Sequence, residues 1–184
     1  MIDEAQAWEI LTTAECICSA VVVSETLARL AAEISADLAH ARPLVLTVMG
    51  GAVVFSGQLL PLLKFPLEVD YIHATRYGNN LSGQEIEWRV LPGEHVAGRS
   101  VLILDDILDE GRTLAGACEK VLALGAAEVR CAVFAEKDTG RPKPLRADYV
   151  GLRLPDRFVF GFGMDIQGWW RNLPAIYALP KGNA

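Results

Sequence analysis

Hydrophobic positions along this chain follow two rhythms. Leu27, Leu30, Ala31, Ile34 and Leu38 recur at three- and four-residue spacing, the stripe of an amphipathic helix, with Ser24 as its expected N-cap and Pro43 beyond its end. Leu114, Ala117, Cys118, Val121 and Leu122 repeat that spacing, and Gly125 closes the segment. Elsewhere the apolar residues come in short runs. Residues 101–104 are apolar throughout and do not alternate, as in a strand covered on both faces of a parallel sheet, and 129–135 form a second such run. Residues 44–48 and 67–74 read as further strands, joined by a turn at Met49-Gly50-Gly51 and a buried helix over 52–63. The polar, Gly- and Asn-containing stretch 75–84 reads as a loop, and 85–91 as a strand turned by Pro92-Gly93. Two short strands over 148–154 and 158–163 and an irregular or helical tail over 169–178 complete the chain. Strands alternating with helices predict an α/β fold with a doubly wound sheet, and 101–135 predict a right-handed βαβ unit within it.

The residues that close the 101–104 run carry the chemistry. Residues 101–113 read VLILDDILDEGRT: Asp105 and Asp106 end the apolar run, Asp109 follows after two apolar residues, and Glu110, Gly111, Arg112 and Thr113 lead into the second helix. The loop from 105 to 113 is therefore expected at the carboxyl end of a central strand, where open α/β sheets bind ligands. Unpaired backbone N–H groups at a helix start favour an anion, which makes 109–113 a phosphate cradle, with Gly111 allowing close approach, Thr113 a hydroxyl and Arg112 a cation. Three carboxylates beside a phosphate must face something else, and a polyol or a divalent metal suits them. A phosphorylated sugar satisfies both seats. Taken by themselves, Asp105 and Asp106 also suit a turn, and Asp109 an N-cap.

Composition narrows the classes. At 184 residues, 52% hydrophobic and 22% charged, residues 1–184 read as a single domain. A formal net charge of −6 argues against a nucleic-acid partner, and the basic cluster at 137–146 is diluted by Asp138 and two prolines, so it reads as a solvated loop. Residues 43–63 carry no charge and are long enough to span a bilayer, but Gly50-Gly51, Ser56-Gly57-Gln58 and Pro61 break them, so no membrane span is expected. The start, MIDEAQAWEI, is acidic where a secretory signal is basic. Cys16, Cys18, Cys118 and Cys131 show no metal spacing, and buried reduced thiols in a cytosolic protein are expected. His40, His73 and His95 are scattered, and no G-x-S-x-G, H-E-x-x-H or Walker A sequence supports a hydrolase or nucleoside-triphosphatase.

The VLILDDILDEGRT segment resembles the phosphoribosyl-diphosphate binding motif of the type I phosphoribosyltransferases. With Ile107-Leu108-Asp109, Lys137, Phe158, Val159, Asp165 and Arg171, the chain is more narrowly similar to the hypoxanthine-guanine phosphoribosyltransferases from about 43 to 177. That resemblance implies a type I phosphoribosyltransferase fold, a mostly parallel sheet flanked by helices, with a small hood from the terminal segments. It implies purine salvage by transfer of 5-phosphoribose from phosphoribosyl diphosphate to N9 of a 6-oxopurine, hypoxanthine or guanine, with Mg2+, in a cytoplasmic homodimer or homotetramer. Asp109 would be the general base. Asp105 and Asp106 would contact the ribose hydroxyls, directly or through metal, with Asp165 as the second metal carboxylate. Glu110, Gly111, Arg112 and Thr113 would hold the 5-phosphate, and Gly50, Gly51 and Arg171 the diphosphate, the peptide before Gly50-Gly51 being one that can be cis. Lys137 would bond the 6-oxo group, Phe158 stack on the base and Val159 pair with its edge through the backbone. Thr75, Arg76 and Tyr77 would belong to a mobile loop closing over the reacting centre.

Four positions depart from the family pattern: Glu110 stands where a small residue is usual, Arg112 for a common Lys, Asp105 for a common Glu, and Met49 where some relatives carry Lys. The Glu110 side chain is expected to point outward. The alternatives are a sister enzyme acting on xanthine, adenine or a pyrimidine, or a ligand-binding regulator of nucleic acid with the same fold.

Overall fold

The structure, a computed structural model, describes residues 2–76 and 86–180. Its centre is a six-stranded sheet of β2 (Leu44–Met49), β3 (Glu68–Arg76), β4 (Ile86–Val90), β5 (Ser100–Leu108), β6 (Glu128–Asp138) and β7 (Tyr149–Pro155), in the order β4-β3-β2-β5-β6-β7. Every neighbouring pair is parallel except β3 with β4. From β2 the chain winds outward to β3, and from β5 it winds the other way to β6 and β7. The crevice at the carboxyl ends of β2 and β5 is therefore the topological switch point of the sheet.

Both faces of the sheet are covered, which explains the unbroken apolar runs. Val101, Ile103, Cys131 and Val133 pack with Leu114, Ala117 and Val121 of α4 (Arg112–Ala123). Leu102, Leu104, Ala132 and Phe134 turn to the other side and join α2 (Ala20–Leu38) and Phe55 and Leu59 of α3 (Val53–Leu59). Each fully buried side chain of this size contributes about 1.5–3 kcal/mol.

A second, three-stranded sheet of β1 (Glu15–Cys18), β9 (Ile176–Ala178) and β8 (Val159–Phe160), in that order, joins the two ends of the chain as a hood. Phe134 binds hood to sheet, its ring centroid 4.3 Å from that of Phe162 and 5.6 Å from that of Phe55. The first helix, α1 (Glu4–Thr13), is set by a capping box: Gln6 N–H donates to Asp3 Oδ1 and Asp3 N–H to Gln6 Oε1. It anchors the segment near 170, where Trp170 Nε1 donates to the Ala7 carbonyl at 2.9 Å and the Trp8 and Trp170 rings meet edge to face.

Several boundaries differ from the sequence expectation. Ser19, not Ser24, caps α2, whose side chain accepts from Val22 N–H; Ser24 sits inside the helix. The helix expected over 52–63 ends at Leu59 and tightens into a 3-10 turn at Leu60–Leu62, where Pro61 lies. β3 extends through Thr75 and Arg76, which the sequence assigns to a loop. The strand expected over 158–163 shrinks to two residues, because positive φ at Gly161, Phe162 and Gly163 turns the chain back. The tail is irregular and ends in β9. No helix among the described residues is long and apolar enough to cross a membrane.

Candidate active site

β5 does not stop where its apolar run meets the acids. Ile107 and Leu108 pair in register with Ala135 and Glu136 of the long strand β6, so the ladder carries Asp105 and Asp106 inside the strand and leaves Asp109 as the first residue beyond it. The expected 105–113 loop is thus only 109–111, and the acidic pair is no turn. Both carboxylates are 8–9% exposed. Asp106 N–H donates to Asp105 Oδ1 and Ile107 N–H to Asp106 Oδ1, each at 3.0 Å. Burial pushes the Asp106 carboxyl above the ordinary carboxylate value, against the opposing effects of its hydrogen bond with Asp105 and of the Arg171 guanidinium.

These residues line a cavity of about 400 Å³ at the switch point, shared by Gly50, Gly51, Asp105, Asp106, Asp109, Gly111, Thr113 and Arg171. The Met49–Gly50 peptide is cis. Gly51 is packed against the acids so closely that a Cβ there would lie 2.1 Å from Asp106 Oδ2, and a Cβ on Gly163 would lie 2.2 Å from the Gly51 carbonyl oxygen. α4 opens from Gly111, which is left-handed at φ 78 and supplies no side-chain cap, so Asp109 is not the N-cap. A helix start without a side-chain cap, facing a cavity, leaves backbone N–H groups of the kind that suit an anion. Glu110 and Arg112 are more than half exposed, 3.9 Å apart, and line an adjoining cavity of about 800 Å³ rather than this one.

Asp109 borders both cavities, and beside it stands Lys137. Lys137 lies within β6, not after it. Its Nζ donates to Asp109 Oδ2 at 2.7 Å, with the lysine side chain 12% exposed and the aspartate 40%. The parallel pairing of β5 with β6 brings the two together across 28 residues of sequence.

The hood supplies the remaining groups. Arg171 Nη1 donates to the Gly163 carbonyl at 2.7 Å and Nη2 lies 2.5 Å from Asp165 Oδ1, while Gly168 N–H donates to Asp165 Oδ2. Phe158, just before β8, is 43% exposed, and the Val159 side chain is buried. Leu179 N–H donates to the Phe158 carbonyl, and alternation in the antiparallel ladder then turns the Val159 N–H and carbonyl away from β9, toward the open edge of the hood sheet. Thr75 and Arg76 end β3, and Tyr77 lies outside the described residues. Among the described residues no three His, Cys, Asp or Glu side chains gather into a protein-only metal cage.

Two residues escape the sequence reading. His73 pairs in register with Met49 and lines the switch-point cavity. Lys143, assigned from the sequence to a solvated loop, has a side chain only 10% exposed. Only the topology brings either to the site.

Comparison with known proteins agrees with this geometry. A family model described as phosphoribosyl transferase domain matches residues 22–167. The hypoxanthine-guanine phosphoribosyltransferase of Bacillus subtilis is 32% identical over 85% of this chain and 88% of its own length. This chain belongs to the hypoxanthine-guanine phosphoribosyltransferase family. The bifunctional protein TilS/HprT of Listeria innocua is 36% identical over 84% of this chain, which spans only 24% of that longer protein. A hypoxanthine phosphoribosyltransferase from Trypanosoma cruzi, solved in a ternary substrates complex, superposes with a TM-score of 0.84 at 26% identity, covering 92% of this chain and 97% of its own. The α/β sheet with its hood is the type I phosphoribosyltransferase fold.

Proposed function

We propose that this chain is a purine salvage enzyme that transfers 5-phosphoribose from phosphoribosyl diphosphate to N9 of hypoxanthine or guanine. The products are the nucleoside monophosphate and diphosphate. One observation carries the base assignment: a carboxylate acceptor, Asp109, which borders both cavities, and an ammonium donor, Lys137, which lines the larger, stand 2.7 Å apart. N7 and O6 of a 6-oxopurine are neighbours on one edge. An N7–H tautomer presents a donor and an acceptor there, the complement of this pair. Adenine presents an amino donor at position 6 instead, opposite a side chain that can only donate.

In the reaction the N9 lone pair forms the bond to C1 of the ribose, and the bond from C1 to diphosphate oxygen breaks, carrying its electron pair to diphosphate. The purine then has one proton too many, and Asp109 accepts it from N7. Asp105 and Asp106 bind the ribose hydroxyls and stabilise the positive charge that develops on the sugar. Residues 109–113 and the start of α4 hold the 5-phosphate; Gly50, Gly51 and Arg171 hold the diphosphate. Phe158 stacks on the base, and the open-edge backbone groups of Val159 pair with it.

Two buried acids, with the Arg171 guanidinium acting on Asp106, suit a divalent cation, and Mg2+ ordinarily takes one or two protein carboxylates and completes its shell from substrate. Mg2+ held by Asp105, Asp106 and the substrate's oxygens would neutralise leaving-group charge. Diphosphate competing for Arg171 would free Asp165 to serve as a further carboxylate. Closure by the segment of Thr75, Arg76 and Tyr77 would exclude water from the sugar cation.

We read residues 1–184 as one domain, because the hood is made from both ends of the chain and packs on the same core as the sheet. A second copy of the chain is proposed to cover Val53, Leu62, Val69 and Tyr71, which are 40–56% exposed. Four free cysteines fit the reducing cytoplasm. The function is tested by diphosphate release from phosphoribosyl diphosphate with a panel of hypoxanthine, guanine, xanthine, adenine, uracil and orotate. Turnover with hypoxanthine or guanine is expected; a panel inactive throughout would leave a ligand-binding role.

A further inference from the structure

We infer that Lys143 is a positioning residue that sets the distance between the general base and the purine-reading lysine. This rests on the roles proposed above for Asp109 and Lys137. An ammonium has three N–H donors. Lys143 Nζ places them on the Lys137 carbonyl at 2.6 Å, the Leu108 carbonyl at 3.0 Å and Glu136 Oε1 at 3.3 Å. Leu108 is the last residue of β5, immediately before Asp109, and Glu136 and Lys137 lie near the end of β6. One part-buried cation therefore ties the two strand ends together from which the Asp109 and Lys137 side chains project.

The local sequence explains how a loop lysine reaches this position. It is flanked by Pro142 and Pro144. Pro144 keeps the preceding residue out of the helical region, and both prolines fix their own φ, so the segment has few backbone conformations open to it. Pro142 and Pro144 are themselves exposed, which leaves the lysine as the part of this tripeptide turned inward. Glu136 is further paired with the exposed Arg153, 3.6 Å away, so the acid is held on its own strand whether or not Lys143 is present.

The arrangement matters for catalysis because a proton acceptor and an edge-reading donor must meet adjacent atoms of one small ring, and an ångström of misplacement can cost about 10²-fold in rate. The binding of phosphoribosyl diphosphate draws mainly on groups that Lys143 does not bond: Gly50, Gly51, Arg171 and the start of α4, which its own apolar face holds to the sheet. Loss of Lys143 should thus fall on turnover and on base selectivity together.

The test compares the full chain with its Lys143→Met and Lys143→Gln variants, measuring kcat and KM with hypoxanthine and adenine and the melting temperature of each. The methionine variant keeps length and loses all three donors; the glutamine variant keeps a neutral donor. In folded variants kcat with hypoxanthine is expected to fall about 10- to 100-fold. The KM for phosphoribosyl diphosphate should change little. The ratio of kcat/KM for hypoxanthine over adenine should narrow by about tenfold, since Lys137 no longer reads a fixed edge. A lysine serving only the fold would lower the melting temperature and leave that ratio alone. A folded variant with wild-type kcat and ratio, or failure of both variants to fold, overturns the inference. A wild-type chain inactive on hypoxanthine and guanine rejects the underlying reading with it, whereas an active wild type with unaffected variants rejects only the role of Lys143.

Discussion

The Asp109 and Lys137 side chains are each other's partner at 2.7 Å, so neutralising either one tests the other. Asp109→Asn keeps the shape and removes the proton acceptor, and kcat should drop by about 10² to 10⁴ while phosphoribosyl diphosphate still binds. Near-normal turnover would take Asp109 out of the mechanism. Asp106 makes a different prediction. Its carboxyl is raised by burial, so the folded chain holds that proton more tightly than the unfolded chain does. Stability is therefore lost as pH rises from the ordinary carboxylate range through the raised folded value. Asp106→Asn cannot ionise and should melt higher than the wild type at neutral pH, the difference vanishing in acid where both side chains are uncharged; activity should fall. Equal melting curves at both pH values would contradict the burial argument. The acids were legible in the sequence because Asp109 and the turn residues 110–113 follow them in register, where the adjacent pair alone suits a turn as well. Lys143 was not, since nothing local distinguishes a lysine that reaches two strand-end carbonyls from one in solvent.

Among the elements, β5 shows where sequence pattern runs out. Its apolar core is plain from composition, but its end depends on how far β6 extends to pair with it, a non-local fact that keeps the acids in the ladder. The α2 boundary is similar: Ser19 and Ser24 both suit an N-cap, and the exposed Val21 and Val22 between them carry no core signal to decide. Glycine at the start of α4 is legible and needed. Gly111→Ala would force a side chain into left-handed backbone at φ 78, costing roughly 1–2 kcal/mol. The same substitution brings its Cβ to 3.0 Å from Leu108. Chemical denaturation should show that loss, accompanied by a higher KM for phosphoribosyl diphosphate. An unchanged KM would argue that the helix start does not hold the phosphate.

For the molecule as a whole, the hood is the part least visible beforehand. Residues 15–18 and 176–178 are too short and too far apart to reveal that they pair, although the capping box at Asp3 and Gln6 is a local signal that the first helix existed. The proposed assembly through β3 is checked by sedimentation: Tyr71→Glu should lower the measured mass to that of the single chain, and a wild type already monomeric would remove the proposal. The central claim, transfer to a 6-oxopurine read by Lys137, has a direct measurement in kcat/KM for hypoxanthine and for adenine at saturating phosphoribosyl diphosphate and Mg2+. Leaving a donor unpaired in a closed site costs about 1–3 kcal/mol, more when it is charged, so hypoxanthine should lead by at least about tenfold. Equal values for the two bases would contradict the assignment.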